Sequence, residues 1–489
     1  MDFKIPKEVR DVTENLEKAG FEAFLVGGCV RDLVLGRGPK DWDITTNARP
    51  EEIVAIFPST FYENDFGTVG VKSEDTSDEK LKVIEVTPYR IEGGYTDNRH
   101  PDSVIFSHRI DDDLKRRDFT INALAYSVSK DQQVDLYNGQ KDLKDRIIRT
   151  VGDPVARFCE DGLRILRAVR FSTELDFEIE PEIEKAILEH SHLLTNISKE
   201  RMRDEFEKII MSDNPMKGLL AMKKLGVLKY VVSELEETIG VDQGGIHTYD
   251  VWEHLLRSLQ HSADKNYPLE IRLGALFHDI SKPATRRGGG KNKQWTFYGH
   301  EVIGARVAKK ILENLKFPSK IIERVVKLIR WHMFFSDTEQ ITLSAVRRMI
   351  VNVGGGAHIW DLMNLRICDR IGTGRPKEDP YRLRKYHSMI EEALRDPISV
   401  GMLKIDGKRI MEIAKIAPGP RIGFTLHALL EEVLDDPSKN IKEYLEDRAV
   451  ELINLPENEL RLIGERGKES REEADEVEIK KIRESHKVR

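Results

Sequence analysis

Apolar residues recur at helical spacing across residues 7–19, and Gly20 ends that segment, so the chain opens with an amphipathic helix. The run Phe24–Val26 leading into Gly27–Gly28 predicts a short buried strand that meets a turn. Val30–Leu35 predicts one or two helical turns closed by Gly36. Asp41–Thr45, Gly67–Lys72 and Leu81–Thr87 predict strands. Up to about residue 140 the chain therefore mixes strand and helix. From Asp142 to residue 465 the pattern is helical, with few β-branched alternations and no repeat of fixed length. Arg286–Gly290 and Gly354–Gly356 read as loops, and from about Glu465 the Lys, Arg and Glu content predicts a solvated helix or a disordered tail.

A length of 489 residues, 39% of them hydrophobic, calls for several packed domains. No stretch approaches the apolar run needed to span a bilayer, and the charged N-terminus lacks the features of a signal or transit peptide. Cys29, Cys159 and Cys368 are far apart and outside any CxxC pattern, which predicts a protein of the reducing cytoplasm. A net charge of −7 excludes a bulk electrostatic binder of nucleic acid. RNA contact is left to local basic groups: Lys115–Arg117, the row Arg164, Arg167 and Arg170, and Lys199, Arg201 and Arg203.

Residues 27–45 read GGCVRDLVLGRGPKDWDIT. In a strand Asp41 and Asp43 project from one side and Trp42 and Ile44 from the other. Two carboxylates held side by side make a hard-oxygen site for Mg²⁺, suited to in-line phosphoryl transfer. The Gly27–Gly28 turn admits a nucleotide close to the backbone, and Arg31 can take a phosphate. A DxD pair alone also occurs on ordinary surface strands; GGxVRD and DxD within one short unit are far more specific.

Residues 160–171 read EDGLRILRAVRF. Asp161 and Arg164, three apart, are expected on one helix face, with Arg167 and Arg170 continuing the row. Cytosine and adenine both present an exocyclic amine beside an unprotonated ring nitrogen, so Asp can accept from the first and Arg donate to the second. Uracil and guanine present the reverse order and would leave buried groups unmatched. Such a pair selects C and A without a template, although i,i+3 charge pairs are also routine surface ion pairs. Between the two segments, LKRRDFTINALAY (114–126) has a basic start and a helix-like apolar run, with Arg117 and Asp118 as candidate ribose or phosphate contacts.

In order and spacing, GGCVRD with DWD, RRDFTINAL and EDGLRILRAVRF resemble the signature motifs of the class II tRNA nucleotidyltransferase / poly(A) polymerase family. The resemblance runs through residues 20–235 and resumes near 400–435. It implies an α+β architecture: a polymerase-β-like nucleotidyltransferase palm followed by an elongated all-α neck, body and tail. It also implies Mg²⁺ at Asp41 and Asp43, and nucleotide contacts at Gly28, Arg31, Arg117, Asp161, Arg164, Arg167 and Arg170. Glu85 is a candidate for the third carboxylate that related polymerases often carry. The segment 89–106 is similar to the family's flexible loop, intact here, which favours full CCA addition or A addition over CC addition.

In the helical half, His254, His278–Asp279 and Asp369 lie on separate predicted helices, the usual way a bundle assembles a metal centre. The order H…HD…D resembles the HD phosphohydrolase superfamily, inserted at roughly 240–375. That resemblance assigns His254, His278, Asp279 and Asp369 as core ligands of a divalent metal, with His300 and His332 matching the extra histidines of two-metal members.

The expected organisation is a head over 1–145, a helical neck and body with the nucleotide-selecting helix over 146–238, an HD-type metal domain over 239–378, a helical tRNA-binding body and tail over 379–465, and a charged tail over 466–489. The expected activity is Mg²⁺-dependent addition of C, C and A to the tRNA 3′ end from CTP and ATP, with phosphohydrolysis at the HD site as a second activity. Alternatives are an enzyme that adds A alone, a poly(A) polymerase, or an HD phosphohydrolase whose head only binds RNA.

Overall fold

The computed structural model describes residues 3–62, 67–73, 76–94, 103–245, 247–288, 295–335 and 341–465, in two compact units that divide between Val231 and Val232. The predicted first helix is α1 (Lys7–Lys18), which buries Val9, Val12 and Leu16 and ends where Gly20 turns with φ +94°. Then follow β1 (Ala23–Val26), α2 (Gly28–Val34), β2 (Asp43–Thr46), α3 (Pro50–Ile56), β3 (Thr60–Tyr62), β4 (Val69–Lys72) and β5 (Val83–Pro88). A two-stranded hairpin, β6 (Arg90–Gly93) and β7 (Ser103–Phe106), precedes α4 (Ile110–Lys115), β8 (Leu124–Ser127) and β9 (Gln132–Asp135). The segment from 95 to 102, the centre of the predicted flexible loop, lies outside the described residues.

Seven strands form one sheet in the order β3-β4-β5-β2-β1-β8-β9. Every neighbouring pair is antiparallel except β2 and β5. Leu25, Ile44, Val86 and Leu124 are wholly buried at its centre, where α2 packs on β1 and β8. Two expectations shift. Strand β2 starts at Asp43 rather than Asp41, yet the alternation holds, because Trp42 and Ile44 are buried while Asp41 is exposed. The apolar end of LKRRDFTINALAY is strand β8 and not helix: Leu124–Tyr126 are buried on both sides of the sheet, so no alternation marks them in sequence.

The first unit continues with α5 (Gly139–Asp145), the short parallel pair β10 (Ile147–Ile148) and β11 (Glu178–Ile179), and between them α6 (Pro154–Glu160) and α7 (Leu163–Leu175). It closes with α8 (Pro181–His190), α9 (Lys199–Met211), α10 (Pro215–Lys224) and α11 (Leu228–Val231). Asp153 caps α6 by accepting from the Ala156 amide at 2.7 Å, and Pro154 takes the first helical position. Helix α7 is buried along almost its whole length and packs against α9 and α10. EDGLRILRAVRF is therefore not one helix. Asp161 stands between α6 and α7 in extended conformation, and its carboxylate accepts from the Leu163 amide at 3.0 Å.

The second unit is helical: α12 (Val251–Asp264), α13 (Leu269–Phe277), α14 (Lys282–Thr285), α15 (His300–Asn314), α16 (Ser319–Trp331), α17 (Leu343–Val353), α18 (Gly356–Gly372) and α19 (Tyr381–Ala393). Arg287–Gly288, expected within a loop, is strand β12 and pairs with β13 (Trp295–Thr296). One core cluster centres on Ile350, Leu362, Leu365 and Tyr386. A second, around Leu429, Val433 and Leu445, belongs to α20 (Gly407–Ala414), α21 (Pro420–Asp435), α22 (Lys442–Ile453) and α23 (Glu457–Glu465). Gly354 and Gly355 separate α17 from α18 with φ near +105°, as the glycine loop predicted. The charged segment 466–489 lies outside the described residues. No described helix is long and apolar enough to cross a membrane.

Candidate functional site

In the first unit the site gathers where β1 turns into α2. Gly27, with φ +78° and ψ −133°, caps α2 and leaves room for two side chains. A Cβ placed there would stand 3.0 Å from Arg117 Nη1 and 3.7 Å from Asp43 Oδ2. Gly28 faces Arg31, whose Nη2 would lie 3.7 Å from an added Cβ. Asp43 is in parallel register with Glu85 of β5, so both carboxylates rise from one face of the sheet with Asp41 just upstream. Burial raises the Asp43 carboxyl above its ordinary range; Arg117 opposes this and the charge of Asp41 adds to it. Clustered oxygens whose charge is disfavoured by burial and by each other fit a divalent cation.

Arg117 donates from Nη2 to Asp113 at 3.0 Å, and Asp113 is fully buried between Arg116 and Arg117. Burial works against the Asp113 charge, but the two arginines hold its carboxyl below the usual range. Arg31 donates to Asn122 Oδ1 at 2.8 Å and pairs with Asp32. Asn122 in turn donates to Asp118 at 3.1 Å, and Asp118 takes Arg167 at 2.6 Å. Against burial, Arg167 and Asn122 keep the Asp118 carboxyl far below its ordinary range. Two groups result, Gly27 with Asp43 and Arg117, and Arg31 with Asn122, Asp118 and Arg167; they adjoin at Gly27, where an added Cβ would stand 3.9 Å from the backbone carbonyl of Asn122.

Asp161 and Arg164 do not pair with each other. Asp161 is held by Arg201 of α9 at 2.7 Å, and Arg164 is paired with Glu160 and donates to the backbone carbonyls of Arg157 and Arg116. Arg170 pairs with Glu174 at 2.9 Å and with the buried Glu205 of α9. Glu205 and Asp113 are functional candidates the motif reading passed over, and Arg201 figured there only as part of a basic patch. Asp113 was signalled by its i,i+3 and i,i+4 spacing to Arg116 and Arg117, whereas the contacts from α9 span about forty residues and have no local signal.

The second unit brings His254 of α12, His278 and Asp279 after α13, His300 of α15, His332 after α16 and Asp369 of α18 into one buried centre. Two groups form, His254–His278–Asp369 and Asp279–His300–His332. His254 and His278 approach through Nε2 at 2.9 Å, and His300 and His332 at 3.3 Å. Asp279 faces both groups: Oδ2 lies 3.1 Å from His254 and Oδ1 lies 3.2 Å from His300. Asp369 Oδ1 is 3.5 Å from His254 and 3.6 Å from His278.

Nδ1 of His278, His300 and His332 each meets the backbone carbonyl three residues earlier, at 3.0, 2.7 and 2.7 Å. That bond fixes Nδ1 as the protonated nitrogen of the neutral ring and leaves Nε2 lone pairs facing the centre. Lone pairs and carboxylate oxygens aimed at one another repel unless cations lie between them, so the donor set fits divalent metal. Lys282 holds Asp279 at 2.6 Å and Gln243 at 2.6 Å, and Arg366 pairs with Asp369. Burial opposes both carboxylate charges, and Lys282 beside Asp279 and Arg366 beside Asp369 hold the two carboxyls well below their usual range.

Three family models match the chain: the poly A polymerase head domain over residues 23–149, the probable RNA and SrmB-binding site of polymerase A over 176–239, and the HD domain over 245–357. A CCA-adding enzyme of Lactobacillus helveticus is 33% identical over 444 residues, which are 89% of this chain and 96% of that one. Among solved structures, the CCA-adding enzyme of Bacillus stearothermophilus in complex with CTP aligns at TM-score 0.66 and 26% identity, over 91% of this chain and 98% of that one. The Thermotoga maritima CCA-adding enzyme complexed with tRNA shares the fold at TM-score 0.54 and 21% identity, over 92% of this chain and 97% of that one.

Proposed function

The chain belongs to the family of CCA-adding enzymes, and on that premise we propose that it completes the 3′ end of tRNA with C, C and A, using CTP and ATP. The observation that carries this reading is the convergence of Asp43 and Arg117 on the space left by Gly27, beside Asp41 and in register with Glu85. Asp41 and Asp43 would hold Mg²⁺, with Glu85 beside them. A cation bound there supplies the positive charge that the attacking and departing oxygens require. The tRNA 3′-hydroxyl attacks the α-phosphate, a new phosphodiester forms, and pyrophosphate leaves. Arg31, Arg117, Arg167 and Arg170 hold triphosphate and ribose, with Asp118 oriented by Arg167 and Asn122. Asp161 and Arg164 read the base edge, exchanging their present partners for it. The helical C-terminal half grips the acceptor arm by shape and backbone. Three cysteines far apart in sequence and outside any CxxC pattern accord with a cytoplasmic site of action.

A second activity is favoured by one specific observation, the Asp279 carboxylate shared between two donor groups. We read the centre as a metal-dependent phosphohydrolase site in which His254, His278 and Asp369 would hold one cation and His300 and His332 a second, with the Asp279 carboxylate facing both groups.

The test uses tRNA transcripts ending before CCA, after C and after CC, each incubated with Mg²⁺ and CTP, ATP or both. Completion of all three to CCA followed by arrest is the expected result. Extension of the CC-ended transcript alone by one A would mean an A-adding enzyme, and long A tails a poly(A) polymerase. No extension of any transcript would shift the function to the histidine–aspartate centre.

A further inference from the structure

Phe171, in α7, takes no part in the reading above, yet three of the arginines named there surround it. The guanidinium carbon of Arg31 lies 5.2 Å from its ring centroid, that of Arg167 5.2 Å and that of Arg170 4.0 Å. The ring is only 3% exposed. It also meets the edge of Phe119 at 5.6 Å and 80°, and the amide of Phe119 donates to the Asp118 carboxylate at 2.8 Å. Arg31 comes from α2 of the sheet-bearing head and Arg167 and Arg170 from α7, the helix that carries Phe171 itself, so this ring is where two segments of the site meet.

Carboxylates balance the three charges, Asp32 at Arg31, Asp118 at Arg167, and Glu174 and Glu205 at Arg170, and the ring of Phe171 is a group that meets all three. An aliphatic side chain could bury as much area there, but it would offer the guanidiniums no electrostatic attraction. The face of a phenyl ring carries negative potential and attracts each cation, most strongly where water is excluded. We propose that Phe171 is a positioning residue for nucleotide binding: its ring fixes the three guanidiniums where a triphosphate and ribose need them. This rests on the assignment of Arg31, Arg167 and Arg170 as nucleotide contacts. Phe171 touches no reacting atom and acts through those arginines.

The full-length protein is titrated with MgCTP and MgATP by calorimetry, and steady-state addition to a CC-ended transcript is measured in parallel. Two changes are compared. Phe171→Leu removes the ring. Replacement of Phe171 by phenylalanine carrying one, two or three ring fluorines keeps its shape while draining negative potential from its face. With Phe171→Leu both nucleotides bind about ten-fold more weakly, the size expected for losing buried cation–π contacts. KM for the transcript stays unchanged, and Phe171→Tyr, which keeps the ring, restores nucleotide binding to near the wild-type level. In the fluorinated series the dissociation constant climbs with each fluorine. This series decides the matter even where Phe171→Leu fails to fold.

A dissociation constant independent of fluorine number, with Phe171→Leu merely melting earlier, overturns the proposal and leaves Phe171 a core residue. Failure of the unaltered protein to bind either nucleotide overturns the nucleotidyltransferase reading, and this inference with it. The two failures are distinct.

Discussion

Replacing Gly27 with alanine separates backbone strain from crowding at the site. At φ +78° and ψ −133° the residue occupies a region essentially reserved for glycine, so alanine there costs about 1–3 kcal/mol. For a unit of this size about 2–4 °C of melting temperature is lost per kcal/mol, which predicts a fall of about 2–12 °C. Crowding acts in addition. The new methyl stands 3.0 Å from Arg117 Nη1, and Arg117 cannot swing away freely, because its other Nη is tied to the fully buried Asp113. The guanidinium therefore shifts relative to Asp43, and displacements of about 1 Å at a reacting centre cost on the order of 10²-fold in rate. Gly20 supplies the control: φ is +94° but nothing lies within 4 Å of an added Cβ. Gly20→Ala is expected to melt early while adding nucleotides at the wild-type rate; Gly27→Ala loses about 10–100-fold in the rate of C addition at a temperature where both stay folded. Calorimetric melts and single-turnover gels measure the two effects. Equal activity of the two variants would refute the close-approach argument, and unchanged melting would refute the strain argument.

Other outcomes follow from the same geometry. Asp279→Asn, which weakens the one ligand facing both donor groups, lowers the retained metal in both halves of the centre, measured by plasma mass spectrometry, while CCA addition persists; loss from one half alone would contradict the shared carboxylate. Asp113 carries a folded-state pKa below its unfolded value, so its stabilisation is present above about pH 4 and lost as pH falls toward the folded value. The melting gap between the wild type and Asp113→Asn accordingly narrows below about pH 4, and a pH-independent gap would show that the ion pairs contribute nothing. Of the three cysteines only Cys159 is exposed, whereas burial, reinforced by Asp43, pushes the Cys29 thiol up to about 12. Iodoacetamide should label one site per native chain, as read by intact mass; rapid labelling of Cys29 would mean that the turn after β1 opens.

What sequence made legible was local. The glycine turn after Phe24–Val26 and the alternation that buries Trp42 and Ile44 are set by neighbours in the chain; the six residues gathered in the second centre lie far apart, and their order resembles that of the HD superfamily rather than any local pattern. Contacts made by folding over distance were not legible. The register that sets Glu85 beside Asp43 depends on a crossover of about forty residues. Strand β8 passed for helix because a strand buried on both faces has no period. The spacing Asp161–Arg164 reads as one helix face because a two-residue break leaves the i,i+3 interval intact; the bonds to the Leu163 amide and Arg201 reveal where Asp161 stands.

The partners of Asp161 and Arg164 bear on fidelity. Each is already satisfied, Asp161 by Arg201 and Arg164 by Glu160. Under the base-reading role proposed for them, a base entering between them would displace bonds rather than fill vacant sites. The protein's own side chains would then be competitors that every nucleotide must outmatch. Cytosine and adenine would return an equivalent set of bonds on arrival, while uracil and guanine would offer like against like and lose to the restored ion pairs. Selection on these terms would precede the reaction at phosphate, with the resting ion pairs as the standard against which each base is judged.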